Sequence, residues 1–163
     1  GFSKAYAMTG WRLGYAILPE PLMFPFSRLI INSVSCTSSF SQIAAVEALN
    51  GPQDDIDMMV EEFRARRDLV VDGLNDIPGI RCIKPSAAFY VFPDISGTGV
   101  TGAVLADRLL QESGVCVLAG TAFGALGGNH IRISYANSRE NLNLALDRIR
   151  ALVEPLAAVH AGG

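Results

Sequence analysis

Lysine is almost missing from this chain: among 163 residues only Lys4 and Lys84 carry an ammonium group. Charge of either sign is thin. Charged residues make up 18%, and the 13 basic and 16 acidic side chains are scattered rather than blocked, for a formal net charge of −3. A nucleic-acid binder carries a basic face, so that class of partner is excluded. Long apolar runs are missing too, and none approaches the roughly 18 residues that a membrane span needs. The opening residues have neither the basic stretch nor the apolar region of a signal peptide. These absences predict a soluble protein with no membrane partner. Histidine is down to His130 and His160, and no C-x-x-C pattern occurs, so metal-ligand spacing is lacking and no metal is expected. Cys36, Cys82 and Cys116 are odd in number, far apart and set in apolar or strand-like surroundings. They predict buried free thiols and a reducing compartment, with the cytoplasm as the default.

What the chain does have is apolar bulk. Hydrophobic residues make up 50% of it, which excludes disorder. The length suits one ordinary domain, or one small domain with a piece of another. WRLGYAIL, from Trp11 to Leu18, predicts a short strand ending at Pro19. PFSRLIINSVS at 25–35 predicts a helix with Pro25 in its first turn. SQIAAVEALN predicts a second helix, apolar on nearly every side. After Gly51-Pro52, residues 53–76 carry a long amphipathic stripe through Ile56, Met59, Val60, Phe63, Val70 and Leu74. Acidic residues crowd its first turn, Glu62 and Arg66 stand four apart, and Pro78-Gly79 stops it.

The remainder alternates in type. IRCIKP and AAFYVFPDI predict strands, and Thr101 predicts the cap of a helix, GAVLADRLLQES, that stops at Gly114. VCVLAG and HIRISYA predict two more strands. In the latter, Ile131, Ile133 and Tyr135 share one face and leave Arg132 and Ser134 on the other. Asn137 with Glu140 resembles a capping box opening a terminal helix with the stripe Leu142, Leu146, Ile149, Val153 and Leu156. Residues 54–158 thus predict a compact α+β domain. Residues 1–50 predict a strand and two apolar helices without the sheet they would cover.

The first fifteen residues, GFSKAYAMTGWRLGY, hold the pattern with chemical content. Lys4 lies among Ser3, Ala5 and Ala7, poor in charge and bulk, and Arg12 follows eight residues later between Trp11 and Leu13. A lysine on a loop and an arginine on a returning strand can face one pocket. An ammonium partly desolvated beside another cation loses its proton more easily and becomes a nucleophile towards carbonyls. For a lone lysine or arginine, a solvated surface charge is the ordinary reading; the surroundings argue otherwise here.

This segment resembles the active-site stretch of class I/II aminotransferases, the fold-type-I enzymes that use pyridoxal 5′-phosphate, and most of all the aspartate aminotransferase branch. The pattern S-K-x-x-x-M-T-G-W-R-x-G-Y fixes many positions of several residue types. ALNGPQD at 48–54, AAFYVFPDIS at 87–96, VCVLAGTAFG at 115–124 and HIRISYANSRENL at 130–142 follow in the family's order and spacing. The resemblance implies an α/β fold class: the C-terminal piece of a large cofactor-binding domain at 1–53, then a small C-terminal α+β domain at 54–163. It implies that the chain starts just before the cofactor lysine, with the upstream half of the large domain absent.

By the same resemblance, Lys4 is the residue that binds the aldehyde of pyridoxal phosphate as a Schiff base and then shuttles the substrate proton. Arg12 is the cofactor-phosphate ligand, for which a planar guanidinium is suited. Arg132 is the group that takes the substrate α-carboxylate. The implied reaction moves an amino group from an amino acid to a 2-oxo acid, in a homodimer. Phe89 and Tyr90 read as core residues of the small domain. GTAFGALGG has neither P-loop nor dinucleotide spacing and reads as a flexible loop near the site entrance. Gly1 stands where relatives often have a phosphate-binding serine, and Ala87 and Ala119 stand where many have Gly and Pro. The acid for the pyridine nitrogen and the aromatic for the ring lie upstream in the family. Two other readings stay open: an inert folding or dimerisation module, and a pyridoxal-phosphate enzyme of the same fold with lyase or decarboxylase chemistry.

Overall fold

Proline and glycine punctuate this chain, and its elements follow them. The computed structural model describes residues 1–162 and divides into two compact units, the first spanning Gly1–Val60 and the second beginning at Glu61. In the first unit a single helical turn, α1 (Phe2–Ala5), is followed by a 3-10 turn at Thr9–Trp11. The strand expected from Trp11 to Leu18 does not form. A strand needs a partner for its ladder, and among the described residues none pairs with this segment. Its backbone is tied instead to the start of the chain, where Phe2 N donates to Leu13 O at 3.4 Å.

Helix α2 (Glu20–Val34) starts five residues earlier than the sequence suggested. Pro21, not Pro25, takes the first-turn position where a missing N–H costs nothing. Pro25 sits inside the helix and leaves the Pro21 carbonyl without its helical donor. No residue of α2 is buried. Helix α3 (Ser39–Asn50) buries only Ser41 and Ala45 and exposes Phe40, Ile43, Val46 and Leu49. Helix α4 (Asp54–Asn75) matches its expected extent to within a residue and passes from the first unit into the second. Val70 and Leu74 of its stripe are buried, as is Val71 outside it, whereas Val60 is exposed.

The second unit packs helices against a small antiparallel sheet of order β1-β3-β2: β1 (Tyr90–Val91), β2 (Leu118–Ala119) and β3 (Ile131–Ser134). Tyr90 pairs with Ser134 and Val91 with Ile133 on one side, and Leu118 with Arg132 and Ala119 with Ile131 on the other. All of these strands are shorter than the sequence implied. In IRCIKP, only Arg81 bridges to Asp94, and the Asn75 side chain takes the backbone of Cys82, accepting from its N at 2.8 Å and donating to its O at 3.0 Å. A side chain thus does there what a neighbouring strand would do. AAFYVFPDI is broken by Ala88, at φ +65°.

Thr101 caps helix α5 (Gly102–Ser113), accepting from Val104 N, and Gly114 closes it in the left-handed conformation that glycine adopts freely. Helix α6 (Arg139–Ala161) is capped by Ser138, which accepts from Asn141 N, and not by Asn137. Asn137 Oδ1 instead accepts from Ser138 N at 2.8 Å and from Asn141 Nδ2 at 3.0 Å. Val70, Leu74, Leu105, Leu109, Ile149 and Val153 meet Val91, Ile131 and Ile133 in one core. The expected two-residue alternation on β3 holds: Ile131 and Tyr135 are 0% and 2% exposed, and Ser134 is exposed. Cys82 is buried, but Cys36 and Cys116 are exposed free thiols, because neither falls on a core-facing position of its segment.

Candidate cofactor and substrate site

In the first unit, residues 1 to 14 close on themselves. Tyr6 N and Met8 N both donate to Phe2 O, Ala7 N donates to Lys4 O, and the Phe2–Leu13 bond brings the ends together. The buried Phe2 ring holds this closure, with the Tyr6 ring at 5.2 Å and the Tyr15 ring at 5.6 Å between centroids. Lys4 therefore stands on a short helix, with its side chain exposed, rather than on the loop expected.

Arg12 lies at the end of the Thr9–Trp11 turn in the left-handed region, φ 51° and ψ 49°, and not on a strand. A non-glycine residue held there costs energy, which marks the position as one the surrounding turn imposes. Its Nη1 donates to Thr9 O at 3.1 Å. The rest of its N–H donors have no partner among the described residues. Arg12 lines an open cleft of about 820 Å³ together with Gly10, Trp11, Cys36, Thr37, Ser38 and Ser41. Lys4 is not part of that lining. The Ser38 hydroxyl donates to the Ser41 hydroxyl at 2.8 Å. Trp11, Val34 and Phe40 make part of the lining apolar, and beside them stand a guanidinium with open N–H groups and the Thr37 hydroxyl, donors that suit a phosphate dianion. A primary amine at Lys4 suits an aldehyde. By their chemistry the two residues suit the phosphate and the aldehyde of pyridoxal phosphate, Arg12 from the cleft and Lys4 from outside its lining.

In the second unit, Arg132 projects from the central strand on the side opposite the core and is half-buried. Its Cζ lies over two ring faces, 4.4 Å from the Tyr90 centroid and 4.3 Å from the Phe123 centroid. Tyr90 comes from β1 and Phe123 from the 3-10 turn Gly120–Phe123. Phe92 extends the cluster, edge-on to Phe123 at 6.0 Å and stacked on His130 at 5.0 Å, whose buried Nδ1 has no hydrogen-bond partner among the described residues. The stretch GTAFGALGG, expected to be a flexible loop, forms two 3-10 turns, Gly120–Phe123 and Ala125–Asn129. They can lie this close only because Gly120 and Gly127 lack side chains: a Cβ on Gly120 would sit 2.3 Å from Gly127 O. Phe89 is half-buried against the core as expected. Tyr90 serves differently, as one wall around Arg132. Sequence reasoning missed Phe123; its signal was a lone aromatic in a glycine-rich stretch.

Comparison with known proteins now bears on these features. The family model for aminotransferase class I and II matches residues 1–149. The chain belongs to the class I and II aminotransferases. Among relatives of this aminotransferase chain, the aspartate aminotransferase of Pyrococcus horikoshii is 42% identical over 155 residues, covering 94% of this chain and 40% of the relative. The aspartate/prephenate aminotransferase of Cereibacter sphaeroides is 45% identical over 167 residues, covering 96% of this chain and 41% of its own length. The solved aspartate aminotransferase of Rhizobium meliloti superposes with a TM-score of 0.87 at 46% identity, covering 93% of this chain and 40% of that one. The chain spans about 40% of the length of the curated aminotransferases it matches. Its mixed helix-and-sheet fold is that of these enzymes' corresponding portion.

Proposed function

We propose that the protein is a pyridoxal 5′-phosphate-dependent aminotransferase of the aspartate aminotransferase kind, moving an amino group from an amino acid to a 2-oxo acid. The observation that carries this reading is the closed segment from Gly1 to Leu13 in a chain of this family, with Lys4 exposed on it and Arg12 aimed into a hydroxyl-lined cleft. Residues 1–53 would belong to the large cofactor-binding domain and residues 54–163 to the small one.

Arg12, Lys4 and Arg132 then divide the work. Arg12 would hold the cofactor phosphate with its open N–H donors, helped by the hydroxyl of Thr37. Lys4 Nζ would hold the aldehyde carbon and, once the substrate amine displaces it, take the proton from the substrate Cα and deliver it to that former aldehyde carbon. When bound, pyridoxal phosphate supplies the electron sink for the Cα–H bond pair. Arg132 would take the α-carboxylate through in-plane N–H donors, which restricts substrates to amino and 2-oxo acids. Water stays available to the exposed Lys4, so this chain's residues alone do not exclude it.

The family's homodimer is part of the proposal, and the apolar side chains that α2 and α3 expose support self-association. Sedimentation equilibrium giving the mass of one chain would remove that part. Cytoplasmic location is proposed with it and is checked by cell fractionation.

The test of the reaction is isotopic. With pyridoxal phosphate, 15N-aspartate and 2-oxoglutarate, the protein is expected to yield 15N-glutamate and oxaloacetate, and Lys4→Ala is expected to yield neither. Release of ammonia or carbon dioxide in place of 15N-glutamate would assign lyase or decarboxylase chemistry. No turnover together with no cofactor binding would leave an inert module.

A further inference from the structure

Arg132 differs from most arginines of this chain in how its charge is met. Arg64, Arg66, Arg67, Arg108, Arg139 and Arg150 each reach a carboxylate. Arg132 is half-buried and yet makes no side-chain hydrogen bond or ion pair among the described residues. What it has instead is two aromatic faces, Tyr90 at 4.4 Å and Phe123 at 4.3 Å from its Cζ. A guanidinium is flat and its N–H bonds lie in its plane. Attraction to ring faces therefore fixes the group without using any of its donors. Holding a cation this way also restricts a long, flexible side chain before a ligand arrives, which lowers the entropy cost of binding.

We propose that Tyr90 and Phe123 are positioning residues for substrate: their ring faces hold the Arg132 guanidinium so that its open N–H donors meet a carboxylate. The proposal rests on the reading of Arg132 as the carboxylate ligand and adds two residues to it. The sheet register explains the first. Tyr90 pairs with Ser134, on the same face as Arg132 and diagonal to it, within reach of an aromatic ring. The second depends on the Gly120–Phe123 turn. This turn follows β2 directly and is folded back by the bond from Gly120 N to His130 O, at 2.8 Å. A strand residue that pattern reading treats as core and a turn residue that it treats as flexible surface are thus the two walls around one guanidinium. Both rings act through Arg132, so their effect belongs in carboxylate affinity and not in the chemical step.

The test uses 15N-labelled protein and 2-oxoglutarate as the probe carboxylate. The Arg132 Nε–Hε resonance, assigned by its loss in Arg132→Gln, is expected to be shifted by the ring currents in the free protein and to move on titration. Phe123→Leu is expected to collapse the ring-current shift and weaken 2-oxoglutarate binding about three- to tenfold, the size of a cation–π contact. Phe123 is 50% exposed, so the unfolding midpoint should hold. Tyr90→Leu should act alike and Tyr90→Phe should keep native shift and affinity, since the ring face remains. If Arg132→Gln abolishes binding while Phe123→Leu and Tyr90→Leu leave both shift and affinity unchanged, the positioning role is overturned and the carboxylate reading stands. If Arg132→Gln binds 2-oxoglutarate as the native protein does, or the native protein shows no saturable binding, both are overturned.

Discussion

Three cysteines illustrate how much a single residue's setting decides. The sulfur of Cys82 lies in the core of the second unit, and burial pushes its thiol pKa up to about 11. Only the thiolate attacks electrophiles, so at pH 8 this group is almost inert. Cys36 and Cys116 are exposed. Iodoacetamide at pH 8 is therefore expected to modify Cys36 and Cys116 in the native protein and Cys82 only after unfolding. Rapid native alkylation of Cys82, read by peptide mass mapping, would contradict its placement. The sequence pattern did not separate the three, because each stands in an apolar or strand-like run. Elsewhere single residues were legible. Alternation alone put Ile131, Ile133 and Tyr135 inwards and Arg132 outwards, since a half-buried strand has a strict period of two. The rings around Arg132 were not legible, because Phe123 reaches it through a turn whose course depends on tertiary contacts. By the family resemblance, Ala87 stands where many relatives have glycine. The residue in left-handed conformation is its neighbour Ala88, whose carbonyl accepts from Tyr135 Oη at 2.8 Å.

At the scale of elements, helices were read well and strands poorly, for a physical reason. Helix α5 carries its start and stop in its own residues, Thr101 and Gly114, and its hydrogen bonds are local. A strand's extent is decided by its partner. IRCIKP has the right residue types, but the Asn75 side chain takes its backbone bonds, and nothing in a sequence window announces that. The paired turns at 120–129 make a prediction at this scale. A methyl group on Gly120 would meet Gly127 O at 2.3 Å and His130 O at 2.7 Å, both backbone atoms that cannot swing away. Gly120→Ala is expected to cost about 1–3 kcal/mol in urea unfolding, the usual penalty of overpacking. Gly128 has open space around its Cβ position, so Gly128→Ala should stay within about 0.5 kcal/mol of native. Equal effects of the two substitutions would mean that the turns are not packed as described.

For the molecule as a whole, acid response follows from a few surface networks. Asp68 accepts from Arg67 and pairs with Lys84 at 2.8 Å, and these cations hold its pKa down at about 2. Glu62 is lowered by its hydrogen bonds to Arg139 and Arg66, which tie α4 to the start of α6. A depressed carboxylate pKa stabilises the folded state at every pH above the unfolded value, near 4 for these groups. That contribution is lost as pH falls from there through the folded value. Thermal midpoints are therefore expected to be flat from pH 7 to about 5 and to fall from about 4.5 towards 2. The double variant Asp68→Asn, Glu62→Gln is expected to show a shallower fall. Both carboxylates are well solvated, so the difference is small, and an identical acid limb in the variant would remove these networks from the explanation. Gly51-Pro52 marks a composition break before α4, whereas the compact units divide between Val60 and Glu61, inside that helix. An unbroken helical stripe hides such a division, because its backbone bonds continue through it.

The scarcity of lysine makes the cofactor role of Lys4 directly testable. Lys84 is the chain's other lysine and pairs with Asp68 in the second unit. The protein is treated with pyridoxal phosphate and reduced with borohydride, and the pyridoxyl group is located by peptide mass mapping. Selective labelling of Lys4 is expected, prevented when aspartate is added before reduction. Faint and equal labelling of Lys4 and Lys84, unchanged by aspartate, would contradict a cofactor role for Lys4.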